Sequence, residues 1–226
     1  MLRRPSLIVF DLDGTLVDSA PDIAYSVDAM LEKLGLPPVG EGPVRHWIGN
    51  GPAMLVKRAL TGEMWPVGEP ARFAEAYPIF MAVYEANMCD RSRLFPGVAE
   101  GLAALRVAGY KLACNTNKNS VFTLPLLDHL GIAGCFDFTG CGDQFTKLKP
   151  DPEPLLRTAE YFGLEPAACV MVGDSANDGE AARRAGFGFV AVPYGYHGGA
   201  GVDVLGPDAV VGSIADLPTL FSPRST

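Results

Sequence analysis

The sequence predicts an α/β fold, a doubly wound, Rossmann-like parallel sheet with an α-helical module inserted near its start. Three observations carry this. Short apolar runs bounded by turn residues alternate with longer helix-patterned stretches. Several runs are apolar throughout, as strands covered on both faces must be. From about residue 19 to about residue 94 the alternation stops, leaving helical patterning and no convincing strand.

Residues 7–10, 111–115, 136–139, 169–172, 187–192 and 209–211 read as the strands. Between them, Val98, Leu102 and Leu105 share a helix face before Gly109, and Phe122, Leu126, Leu127 and Leu130 do so before Gly131. Two further helices end near Gly163 and at Gly186. Glycine just past a helix is the expected left-handed terminator. In the inserted module, Ser19 is placed to cap a helix with Pro21 in its first turn and Ile23, Val27, Met30, Leu31 and Leu34 on one face. A second helix is expected from near Pro52 and a third over roughly residues 71–87. The expected division is residues 1–17 and 94–226 for the α/β core and 18–93 for the helical module.

Composition narrows the function. The 226 residues are 48% apolar and 19% charged, which excludes a disordered chain and suits one large domain or a core with a smaller one. The longest apolar stretches, such as residues 79–84, fall short of the roughly 20 needed to span a bilayer. The apolar run at residues 7–10 is too short for a secretion signal, so a cytoplasmic location is expected. Five cysteines without a C-x-x-C pattern suit buried, reduced thiols, and three scattered histidines suit no zinc site. A net charge of −8 disfavours nucleic acid and anionic membranes as partners. An anionic ligand must therefore be held by local cations.

The polar residues that end the strands supply such a site. Phe10-Asp11-Leu12-Asp13-Gly14-Thr15 closes the first strand, where ligands bind in open parallel sheets. A surface Asx turn would explain the pair of acids alone. A calcium loop would not, because its sixth position is Leu16 and its twelfth Asp22. Thr116 and Asn117 end the next strand and are equally good helix caps or phosphate ligands. Lys149 precedes a Pro-stiffened turn, where taken alone it reads as solvent-exposed, and Asp174 and Asp178 flank a strand-to-helix junction where helix capping by Asp174 is the simpler role. Taken together they describe an anion site built around a hard divalent cation, for which Mg²⁺ fits best.

In this order Phe10-Asp11-Leu12-Asp13-Gly14-Thr15-Leu16, Thr116-Asn117, Lys149-Pro150 and Gly173-Asp174-Ser175 with Asp178 resemble the four motifs of the haloacid dehalogenase superfamily of phosphatases. The helical module resembles that superfamily's cap. More narrowly, residues 44–51, 94–98 and 193–196 resemble bacterial phosphoglycolate phosphatases, with Asn119 where those often carry proline. The resemblance implies Mg²⁺-dependent hydrolysis of 2-phosphoglycolate to glycolate and phosphate through an aspartyl-phosphate. It implies Asp11 as nucleophile and Asp13 as acid and base, with Thr116, the Asn117 amide and Lys149 on the phosphoryl group. The metal ligands would be Asp11, Asp174 and the Asp13 carbonyl, with Asp178 reaching the ion through bound water.

For the leaving-group carboxylate, Arg45 and Lys118 are candidate cations and the Gly49-Asn50-Gly51 turn a candidate source of donors. Tyr194, Tyr196 and residues 198–201 read as a surface loop without a chemical role. The expected partner is a small phosphorylated metabolite, with the chain a monomer or homodimer. A phosphosugar mutase or another small-metabolite phosphatase would share every core residue. A receiver-type phospho-acceptor domain would share the Asp, Thr and Lys but has no use for Asp13 or the helical module.

Overall fold

The computed structural model describes residues 4–197 and 201–222. Its main sheet contains β1 (Leu7–Phe10), β4 (Lys111–Asn115), β5 (Phe138–Gly140), β6 (Cys169–Gly173), β7 (Gly188–Ala191) and β8 (Ala209–Val210). All neighbours are parallel, in the order β5-β4-β1-β6-β7-β8. The chain winds outward from β1 in both directions, so the order reverses beside β1, and the crevice beyond its carboxyl end is the natural ligand site.

Alternate residues of the strands point to opposite faces. Ile8, Phe10, Leu112, Cys114, Val170 and Val172 pack with α5 (Val98–Val107), α6 (Ser120–His129) and α9 (Leu217–Leu220). Leu7, Val9, Ala113, Met171 and Phe189 pack on the other face with α7 (Glu153–Phe162) and α8 (Ala176–Ala185). Two covered faces account for the uninterrupted apolar runs. At about 25 cal/mol per Å² of apolar surface removed from water, these layers supply the main driving force of the fold.

The insertion holds four helices, α1 (Ala20–Lys33), α2 (Glu41–Trp47), α3 (Gly51–Thr61) and α4 (Phe73–Asn87), around a separate apolar cluster. The helix α2 is one more than the sequence pattern indicates, because its seven residues include Gly42 and Pro43 and bury only Val44 and Trp47. The chain enters the insertion through β2 (Val17–Asp18) and leaves it through β3 (Arg93–Leu94), two short antiparallel strands that periodicity cannot reveal at this length. Next to them the buried Asp22 carboxylate accepts from Ser92 N at 2.7 Å, Ser92 Oγ at 2.7 Å and Arg91 N at 3.0 Å. Entry and exit are thereby fastened together.

Ser19 precedes α1 as expected but does not cap it with its side chain. Its hydroxyl donates instead to Asp13 Oδ1 at 2.6 Å. The free N–H groups of Ser19 and Ala20 both donate to the Tyr196 hydroxyl at 3.0 Å. Among the described residues, no helix is long and apolar enough to cross a membrane.

Candidate active site

Asp11 leaves β1 with its N–H donating to Val172 O at 2.9 Å, which places its side chain at the end of the central strand. Asp174 follows β6, and Asp178 lies in the first turn of α8. A carboxylate oxygen from each of these three buried acids lies within 4.8 Å of the others. Lys149 Nζ donates to Asp11 Oδ1 at 2.9 Å, to Asp178 Oδ1 at 2.7 Å and to Asn115 O at 2.8 Å.

The electrostatics follow from this crowding. Burial, with Asp178 and Asp174 nearby, pushes Asp11 well above the usual carboxylate range against the pull of Lys149. Burial and Asp178 push Asp174 up to about 7. At Lys149, burial favours loss of the proton, but Asp11 and Asp178 outweigh it and hold the ammonium above its ordinary range. One ammonium among three carboxylates leaves the cluster short of positive charge.

Asp174 is cradled by backbone and by a hydroxyl. Thr15 Oγ1 donates to its Oδ1 at 2.8 Å, and Tyr196 N donates to its Oδ2 at 2.5 Å. Gly14, in the left-handed region at φ 88°, and Gly195 lie so close to this carboxylate that a Cβ on either would collide with it. Helix capping at this junction falls to Ser175 rather than Asp174. Asp178 Oδ2 accepts from Ser175 N at 3.1 Å and from Ser175 Oγ at 2.6 Å. Asp178, expected to sit outside the ligand set, has its carboxylate in the same cluster as Asp11 and Asp174.

The structure places Asp13 apart from that cluster. Its carboxylate accepts from Lys118 Nζ at 3.0 Å on both oxygens and from Ser19 Oγ at 2.6 Å. Two carboxylates so near in sequence repel each other, and each has its own ammonium here, Lys149 at Asp11 and Lys118 at Asp13. Thr116 and Asn117 follow β4, with the Thr116 hydroxyl accepting from Lys118 N at 3.2 Å. The Asn117 side-chain amide is committed to structure, donating to Gly49 O at 2.9 Å and Lys149 O at 2.8 Å and accepting from Lys149 N at 2.9 Å.

These groups border one cavity of about 50 Å³. Asp11, Asp13, Thr116, Asn117, Lys118, Lys149 and Asp178 line its core side. Ile23, Ile48, Gly49, Leu55, Phe80 and Tyr84 line the side formed by the insertion. Two expected contacts are not among the lining residues. Arg45 NH2 is bound to Asp18 at 3.0 Å and its Nε to Glu41 at 2.7 Å, while the guanidinium stacks on Tyr196. Asn50 Oδ1 accepts from the buried Arg58 at 2.8 Å and its amide donates to Asn177 at 3.4 Å, so it braces the loop.

Three residues that the sequence did not mark belong to the surroundings of the site. Tyr196 holds Asp174 and the start of α1, contrary to its reading as a loop residue without a role. Residues 198–200 of that stretch lie outside the described residues. Asn177 Nδ2 donates to Gly49 O at 3.0 Å, the carbonyl that Asn117 also reaches. Tyr84 lines the cavity from α4, where an aromatic at helical spacing reads as core. No sequence signal separates it from its apolar neighbours.

Comparison with known proteins agrees with this geometry. Residues 8–192 match the family described as haloacid dehalogenase-like hydrolase. The phosphoglycolate phosphatase of Nitrosococcus oceani is 46% identical over 222 residues, 98% of this chain and 99% of the relative. That of Thiobacillus denitrificans is 46% identical over 215 residues, 95% of each. A crystal structure from Haemophilus somnus, titled a predicted phosphoglycolate phosphatase, superposes with a TM-score of 0.90 at 36% identity, covering 98% of this chain and 100% of that one. With the acids and lysine at the strand ends and a match across most of its length, the chain belongs to the haloacid dehalogenase-like hydrolases.

Proposed function

We propose that this protein is a Mg²⁺-dependent phosphomonoesterase that hydrolyses 2-phosphoglycolate to glycolate and phosphate, with Asp11 as nucleophile. The observation that carries the reaction type is Lys149 Nζ, 2.9 Å from Asp11 and 2.7 Å from Asp178 at the mouth of the central strand. The substrate follows from the relatives that bear that name across nearly the full chain.

The donor set fits a hard divalent cation. Three buried carboxylates without a histidine or thiol among them favour an oxygen-seeking ion. The upward displacement of Asp11 and Asp174 marks a cluster that needs further positive charge to stay ionised. Asp11 and Asp174 would hold the ion with the Asp13 carbonyl, and Asp178 would add negative charge beside it. When bound, Mg²⁺ supplies charge neutralisation for the phosphoryl oxygens.

The protein's own groups account for the remaining chemistry. Asp11 attacks phosphorus while the bond to the leaving oxygen breaks, and the Asp13 carboxyl delivers its proton to that oxygen. Water then attacks phosphorus of the aspartyl-phosphate and gives a proton to Asp13, releasing phosphate and restoring the Asp11 carboxylate. Lys149, Thr116 and the Asn117 N–H hold the transferring group against its repulsion from Asp11. Residues 18–93 act as a cap that closes the cavity and excludes water from the first step.

The test is phosphate release from a panel of small phosphomonoesters after chelation, with and without added Mg²⁺. The proposal expects phosphoglycolate to be preferred and Mg²⁺ to be required. Acid quenching during turnover should leave one phosphoryl group on the peptide that contains Asp11. Undiminished turnover with EDTA, or an unmodified Asp11 peptide, would refute the mechanism.

A further inference from the structure

We propose that the Tyr84 hydroxyl is a specificity-determining hydrogen-bond donor for the carboxylate of the leaving group, acting beside Lys118. The inference rests on the phosphoglycolate reading and assigns a residue to the end of the substrate remote from phosphorus.

The first observation is an orphaned oxygen. Tyr84 is 3% exposed, and its hydroxyl is one of the buried side-chain polar atoms that lack a hydrogen-bond partner among the described residues. A buried, unpaired hydroxyl is costly and uncommon. Phenylalanine would pack equally well here without stranding an oxygen. The ring itself is held, with Phe80 and Phe122 centroids 5.6 Å and 4.8 Å from its own. The ring is thus fixed, and Tyr84 is one of the residues that line the cavity.

The second observation is a charge that needs help. Lys118 Nζ lies 4.8 Å from the Tyr84 ring centroid and already binds both oxygens of Asp13 at 3.0 Å. A single ammonium shared with Asp13 cannot by itself satisfy a second carboxylate beside the apolar wall formed by Ile23, Leu55, Phe80 and Phe122. A neutral O–H on a residue that lines the same cavity would supply the missing bond. Burial pushes the Tyr84 phenol up to about 12 against the pull of Lys118, so it keeps its proton at neutral pH. Lys149 meets the phosphoryl group and Lys118 lies at Asp13, the leaving-group acid, so the two anionic ends of the substrate have separate cations.

Tyr84→Phe tests this, because it removes one oxygen and keeps the ring. Kinetics are compared on phosphoglycolate and on ethyl phosphate, which has the same two-carbon length and no carboxylate. The expected result is a KM for phosphoglycolate raised about tenfold, the loss of one hydrogen bond to a charged group. The kcat/KM for ethyl phosphate should stay within about twofold of wild type, because that substrate offers the hydroxyl no acceptor. The melting temperature should hold or rise, because the hydroxyl makes no hydrogen bond within 3.5 Å among the described residues. An unchanged KM for phosphoglycolate would overturn the inference, as would equal losses on both substrates or a marked fall in melting temperature. Wild-type protein that hydrolyses ethyl phosphate but not phosphoglycolate would overturn the substrate reading and this inference together.

Discussion

The Tyr196 hydroxyl donates to Asp18 Oδ1 at 2.7 Å, tying the loop after β7 to the strand by which the chain enters the helical insertion. The other oxygen of Asp18 receives Arg45 at 3.0 Å, and the Tyr196 N–H reaches Asp174. The strand β2, the helix α2 and a member of the acidic cluster therefore share one polar network. Tyr196→Phe leaves two N–H groups at the start of α1 without their acceptor, at a cost of about 1–2 kcal/mol. Thermal melting should fall by about 3–6 °C for a chain of this size.

Arg45→Ala should have a different signature from Tyr84→Phe. Arg45 is a third exposed and lies in the Asp18 network rather than on the cavity wall. A partly exposed ion pair contributes about 1 kcal/mol at most, so KM should rise by less than about fivefold. The rise should be the same for phosphoglycolate and ethyl phosphate. Steady-state kinetics on both substrates check this, and a loss confined to phosphoglycolate would instead place Arg45 on the substrate carboxylate.

Divalent cation should stabilise the protein through the acidic cluster. At a concentration about one hundred times its dissociation constant, Mg²⁺ adds about 2.7 kcal/mol. Melting followed with and without EDTA should separate by roughly 5–10 °C. In Asp174→Asn the separation should nearly vanish, since one of the three clustered carboxylates is gone.

Acid should erase the contribution of Asp137. Burial opposes its ionisation, but the Leu112 N–H and the Arg106 guanidinium outweigh this and hold the carboxyl below its usual range. The folded state thus binds its proton less readily than the unfolded chain. Its contribution is complete at neutral pH and is lost as pH falls through the folded-state value. Urea unfolding of wild type and Asp137→Asn should differ at pH 7 and converge in acid below the ordinary carboxylate range.

Thiol labelling should divide the five cysteines. Burial pushes Cys114 well above its usual range and raises Cys141 and Cys169 to about 11. Cys89 and Cys135 are only partly buried. A disulfide exchange reagent at pH 8 should modify at most these two rapidly in folded protein, and all five after denaturation.

The parts of the site legible in the sequence are those that a parallel sheet places for free. Asp11, Thr116, Lys149 and Asp174 follow strands or lie on the connecting loops, and topology alone brings such positions together. Pairings across long separations were not legible. Lys118 meets Asp13 across 105 positions, and Tyr196 meets Asp18 across 178. Neither residue's neighbours in sequence mark it as a partner. Tyr84 was hidden for a different reason, since α4 buries Ala76, Phe80 and Val83 as well and its one chemically distinct atom breaks no apolar pattern. The strands β2 and β3 were hidden because two residues are too few to show a period.

The β2–β3 ribbon has a consequence for how such a molecule can diversify. Val17 pairs with Leu94 and Asp18 with Arg93, so some 75 intervening residues depart from and return to the same spot. A segment carried between those two anchor points leaves the strand order of the main sheet uninterrupted. The segment above can then vary in length and content while the sheet beneath keeps its strand order.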